Sequence, residues 1–157
     1  MEPKKARIVT SVSLQMSAEI FTDSDGMIKG VLKSRYLDAP FVFTDMIHMI
    51  YKMEEIFDTN GFPQAFLSPR SFEDGKRGVR KNGSDNGAQA DMLLAGTEGC
   101  VKCTFELAVR FRQNATWQGQ ISWVEKDIKQ NFRSVLEMLK LINEALAETN
   151  ESMKPAD

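Results

Sequence analysis

Cysteine and histidine are scarce in this chain: its 157 residues include two cysteines, Cys100 and Cys103, and one histidine, His48. A four-ligand zinc site built on Cys100-Val101-Lys102-Cys103 would need two further thiol or imidazole ligands, and the sequence holds only one more, His48. A redox pair would open a helix after a strand. CVKCTFELAV instead alternates like the start of a strand, where residues three apart point to opposite faces. The two cysteines are therefore expected as small apolar residues. No histidine is patterned with a serine or cysteine nucleophile, and no glycine loop is shaped to cradle phosphate. These absences point to a protein that is not an enzyme and needs neither cofactor nor metal.

An excess of charge is also missing, since 20 basic residues stand against 22 acidic ones. No global field draws the chain to phosphate backbones or anionic lipid, so nucleic acid is a minor reading that would require a local basic patch. Long apolar runs are lacking too. MEPKKARIVTSVSL has no signal-peptide core, and no stretch approaches membrane-spanning length. A cytoplasmic protein with no membrane partner is expected, and in that compartment Asn114-Ala115-Thr116 reads as a polar hairpin loop rather than a glycosylation site.

What is present is a periodic pattern. Sliding the chain over itself by eighty-nine positions lays residues 12–57 on 101–146 without a gap. Gly30 then falls on Gly119, Asp38 on Asp127, Phe43 on Phe132, Met49 on Met138 and Glu55 on Glu144. Apolar positions agree as well, Ile20 with Val109, Leu32 with Ile121 and Met53 with Ile142. The pattern predicts an α+β fold, a tandem repeat of a β-β-β-α unit forming antiparallel sheet with helices on one face. The expected divisions are 1–73 for the first copy and a docking segment, 74–91 for a flexible linker, and 92–157 for the second copy. The two copies are expected to make one compact domain.

In the second copy Phe105, Leu107, Val109 and Phe111 alternate with Glu106, Ala108, Arg110 and Arg112, and Trp117, Gly119, Ile121 and Trp123 follow in a second strand. Matching the apolar faces calls for an odd-numbered loop, here Asn114-Ala115-Thr116. Phe111 is then expected opposite Gly119, Val109 opposite Ile121, and Leu107 opposite Trp123 in the core. On the other face Arg112 and Arg110 oppose Gln118 and Gln120. The same rule in the first copy pairs Ile20 with Leu32 and Glu19 with Lys33, around Asp25-Gly26-Met27. A turn near Lys126-Asp127 and a short strand ending at Phe132 lead to a helix whose start, Ser134-Val135-Leu136-Glu137, has capping-box spacing. Its core stripe is Val135, Met138, Leu139, Ile142, Ala145 and Leu146. The first helix begins at Thr44 or Asp45, stops before Asn60-Gly61, and buries Met46, Met49, Ile50, Met53, Ile56 and Phe57. His48 falls on its polar face. Its methionines could line an adaptable binding groove, but ordinary core packing is the favoured reading.

Between the copies, FPQAFLSPRSF is expected to dock as an extended apolar segment. GKRGVRKNGSDNGAQADM has the composition of a linker, made locally basic by Lys76, Arg77, Arg80 and Lys81.

The expected topology gathers the hairpin tip, the end of the third strand and the helix N-terminus. Gln113, Asn114, Thr116, Trp117, Gln118, Arg133 and Ser134 are the candidate ligand-binding residues. Free helix N–H groups beside an arginine suit an anion, and a tryptophan beside side-chain amides could stack on a planar, nucleotide-like ligand. A small binding or regulatory protein follows from this. The first copy has Ile28, Lys29 and Thr44 where the second has Trp117, Gln118 and Arg133, so binding is expected in the second.

The alternative is a protein–protein interaction module or inhibitor, either docking on another protein or self-associating as a homodimer, through an exposed strand edge or apolar patch. A third reading is nucleic-acid binding through a basic surface of Lys102, Arg110 and Arg112, weakened by Glu106 on the same face. The cassette RQNATWQG...W...FRSVLEMLKLI resembles a recurring segment of small uncharacterised proteins from Firmicutes. That resemblance covers the last third of the chain, implies a bacterial, mobile-element origin, and brings no activity with it.

Overall fold

The computed structural model describes residues 15–22, 25–63, 72 and 101–153. Across them the elements run β1 (Met16–Thr22), β2 (Ile28–Lys33), β3 (Phe41–Phe43), α1 (Met46–Asn60), β4 (Val101–Phe111), β5 (Gln118–Trp123), β6 (Ile128–Phe132) and α2 (Val135–Met153). The chain is α+β. All six strands form one antiparallel sheet in the order β3-β2-β1-β4-β5-β6, so β1 and β4 make a central seam between two three-stranded halves. The expected linker 74–91, most of the segment FPQAFLSPRSF, and Cys100 lie outside the described residues.

Local chemistry sets the helix ends. Asp45 caps α1, its Oδ1 accepting from the His48 backbone N–H at 2.7 Å. Gly61 ends it in the left-handed region, at φ 63°, which a side chain would resist. Ser134 caps α2, its Oγ accepting from the Glu137 N–H at 3.1 Å. Each helix then lays an apolar stripe on the sheet: Met49, Met53, Ile56 and Phe57 from α1, and Met138, Ile142, Ala145 and Leu146 from α2. The strands answer with Ala18, Ile20, Leu32, Phe43, Phe105, Leu107, Val109, Ile121 and Phe132. The α1 methionines are thus core, with Met49 and Met53 both buried.

Both hairpins pair two residues away from the expected register. Val109 faces Gly119, Leu107 faces Ile121 and Phe105 faces Trp123. Ile20 faces Gly30 and Ala18 faces Leu32. Because the shift is even, the apolar side chains keep their face. Glu19 and Lys33 are likewise not directly opposed, yet their side chains meet diagonally at 3.0 Å.

The cause in the second hairpin is its turn. Thr116 N–H donates to Gln113 O at 3.1 Å, closing a turn around Asn114 and Ala115, which stand at φ 55° and 59°. A two-residue loop of this kind suits the twist of an antiparallel pair but breaks the parity the apolar faces require. A β-bulge between Val109 and Phe111 restores it. Beyond the bulge the alternation inverts, so Phe111 is exposed and Arg112 is buried.

Candidate functional site

The end of the sheet where β4 turns into β5 is a polar cluster centred on Arg112. Arg112 was expected on the outer face, but the bulge turns it beneath α1, where it is 6% exposed. Its Nε donates to Pro63 O at 2.6 Å, and one terminal nitrogen reaches Glu54 at 3.1 Å and Asp58 at 2.8 Å. The guanidinium also stands over the Phe57 ring, 5.6 Å from its centroid. Trp117 joins the same cluster, its Nε1–H donating to the second Glu54 oxygen and its ring meeting Phe57 edge to face. At 2% exposure Trp117 is a core residue, so the expectation that it stacks on a ligand is corrected. It is buried because its indole fills the space under α1 while Glu54 takes its one polar atom.

The remaining candidate residues do gather at the hairpin tip, but they bond to one another. Gln118 accepts from the Gln113 N–H at 2.9 Å and donates to Gln113 O at 2.9 Å and Arg133 O at 3.3 Å. Thr116 Oγ1 accepts from the Val135 N–H at 3.0 Å, and Ser134 takes that of Glu137. Two of the donors that an anion would use at the start of α2 are therefore occupied by side chains of the chain itself. Asn114 is exposed within the turn, and Arg133 extends outward with its Nε 3.4 Å from Glu137.

The expected basic surface is also reduced. Arg112 leaves it, and Lys102 lies 3.8 Å from Glu19, which Lys33 already contacts at 3.0 Å. Arg110 stays exposed on the outer face together with the acidic Glu106. Cys103 packs beneath α2, with Sγ 3.2 Å from Thr149 Oγ1 and 3.7 Å from Ala145 O. Burial raises its thiol pKa, and the Thr149 hydrogen bond only partly opposes this. Among the described residues no cluster of three or more His, Cys, Asp or Glu side chains could hold a metal ion, and no helix is long and apolar enough to cross a membrane.

A second place was not singled out by sequence reasoning. Between β6 and α2 lies an open groove of about 290 Å³, with Phe105, Ile121, Trp123 and Ile128 on its sheet side and Leu141 and Glu144 on its helix side. Trp123 was expected in the core against Leu107. It is half-buried instead, opposite Phe105, with Lys126 Nζ 5.0 Å from its ring centroid. Its Nε1 is buried and has no hydrogen-bond partner among the described residues. β6 borders this groove as the terminal strand of the sheet, and every residue in it except Phe132 is exposed. One signal for the groove was legible: Ile128 is an apolar residue at the start of a strand that is polar until its last residue, Phe132, and it is 46% exposed. No protein-family model, curated protein or solved structure matches the chain.

Proposed function

We propose that this protein is a non-catalytic protein-interaction module, built from two tandem copies of a β-β-β-α unit, that engages its partner along the β6 edge. The duplication is supported by registers that repeat at the offset of eighty-nine. Ile20 pairs with Gly30 as Val109 pairs with Gly119, and Gly30 pairs with Phe43 as Gly119 pairs with Phe132. The helix caps Asp45 and Ser134 obey the same spacing, and at the β1–β4 seam Ser17 lies opposite Glu106, its own counterpart.

The observation that carries the interaction reading is the exposed edge of β6 beside an open groove. An edge strand presents unpaired backbone groups to any extended segment, and a neighbouring apolar groove gives that segment's alternate side chains a place to bury. β3, the opposite edge, has three residues against the five of β6 and offers a shorter template. The anion-site reading has less support, because Trp117 is core and the hairpin-tip groups satisfy one another.

The test is selection of displayed random peptides on the full-length protein and on Ile128→Lys, which places a charge at the mouth of the groove. Wild type should enrich extended, β-forming sequences that the variant does not retain. Equal enrichment on both, or enrichment of anionic ligands lost only in Arg133→Ala, overturns the reading.

A further inference from the structure

The counterpart of the groove in the first half of the chain is filled, and what fills it indicates what the open groove takes. Eighty-nine positions before Gln130 and Leu141 stand Phe41 and Lys52. Phe41 is buried on β3, and Lys52 is buried on α1 with its ammonium 5.1 Å from the Phe41 ring centroid. Lys52 also reaches Glu55 at 3.6 Å. The first half thus closes the space between its edge strand and its helix with an aromatic ring, a cation over that ring, and a carboxylate beside the cation.

In the second half the carboxylate is kept and the other two members are lost. Glu144 occupies the position of Glu55, while Gln130 replaces the ring and Leu141 replaces the cation. Glu144 is exposed on the groove wall and makes no ion pair among the described residues. Glu148, also lining the groove, is paired with Lys126. The rest of the lining is apolar or aromatic: Phe105 and Ile121 form a buried floor, and Ile128 and Trp123 are the accessible walls. The second half keeps a ring and a cation elsewhere, Trp123 with Lys126 over it, but at the positions of Phe41 and Lys52 it has neither, and there its edge strand is the longer and more exposed one.

We propose that the groove between β6 and α2 receives an extended polypeptide segment that adds to the β6 edge, inserts an aromatic side chain, and carries a lysine or arginine that pairs with Glu144. This rests on the interaction reading above and specifies the partner's chemistry. In an added strand, side chains two apart share a face, so the cation sits two positions from the ring and both point toward α2. The aromatic ring contacts Trp123 and Ile128, and the cation neutralises a carboxylate that makes no ion pair among the described residues.

The probe is the blocked pentapeptide Lys-Thr-Phe-Thr-Lys, titrated into the full-length protein while tryptophan emission is followed, with Trp123→Phe assigning the signal to the groove. Binding in the millimolar range or tighter is expected for this peptide, with marked weakening for Glu-Thr-Phe-Thr-Glu and for Lys-Thr-Ala-Thr-Lys. Glu144→Gln should weaken it about three- to fivefold and reduce its salt dependence, as expected for an exposed ion pair. Gln130→Phe, which restores the ring of the first half, should abolish binding while leaving the protein folded by circular dichroism.

Two further peptides, N-methylated on one or the other set of alternate amides, test the edge. One set should abolish binding and the other leave it intact. If both methylated peptides bind like the parent, the edge reading fails while the groove chemistry stands. If the glutamate peptide binds as well as the lysine peptide, or if Gln130→Phe binds normally, the proposed groove chemistry fails. Failure of the parent peptide to bind, or a stable homodimer whose hydrogen exchange protects β6, overturns the proposal outright.

Discussion

Arg112 is the side chain through which the end of β4 holds α1 in place. Its guanidinium satisfies one backbone carbonyl and two carboxylates of another element, so removing the charge leaves Pro63 O without its donor and Glu54 and Asp58 without their cation. Arg112→Met, which keeps the apolar stem over Phe57, should destabilise the fold by about 1.5–3 kcal/mol in urea unfolding, the range of a hydrogen bond to a charged group. A loss below a few tenths of a kcal/mol would mean that the cluster is ornamental. Cys103 provides a test by pH. Burial raises its pKa above the unfolded value, so the neutral thiol of the folded state resists ionisation that the unfolded chain undergoes. The sign follows: its contribution is fully present below the unfolded thiol pKa and is lost as pH rises through the folded one. Wild type should therefore lose more stability than Cys103→Val between neutral and alkaline pH. Parallel losses in the two proteins would show that the thiol plays no part.

At the scale of elements, the β4–β5 hairpin departs most from what its alternating pattern predicts. Alternation alone specified that Val109 and Ile121 share a face, and they do. It could not specify the turn, because a three-residue loop and a two-residue loop with a bulge both satisfy the same apolar matching. The bulge moved Arg112 inside and Phe111 outside. Backbone cost gives a prediction here. Ala115 sits at φ 59°, where its Cβ is crowded, so Ala115→Gly should raise the melting temperature by relieving about 1 kcal/mol of strain. Gly119 presents the opposite case. A Cβ there would collide with Ala108 O and lie 2.9 Å from Val109 Cα, both backbone atoms that cannot swing aside. Gly119→Ala should cost about 1–3 kcal/mol in the same thermal melts. If both substitutions shift the melt in one direction, this description of the hairpin is wrong.

Across the whole molecule, the sheet has its most enclosed strands at the centre and its most accessible strands at the rims. β1 and β4 pair on both sides, whereas β3 and β6 pair on one. Hydrogen exchange should rank sheet-bonded amides of β1 and β4 slowest and those of β6 among the fastest, because opening an edge disrupts one ladder rather than two. Protection of β6 equal to that of β4 in isolated monomer would contradict the open edge. The sequence by itself determined the strand–helix order, the helix cap at Ser134, the start of α1 to within Thr44 or Asp45, and the buried stripes, since these depend on neighbours within a few positions and on a period that the chain carries locally. Tertiary structure alone decided that the two halves share one sheet through β1 and β4, that Trp117 and Arg112 lie beneath α1, and that Gln130 and Leu141 leave a groove beside Glu144. Those outcomes depend on which side chains from distant segments compete for one volume, and alternation within a strand cannot express that competition.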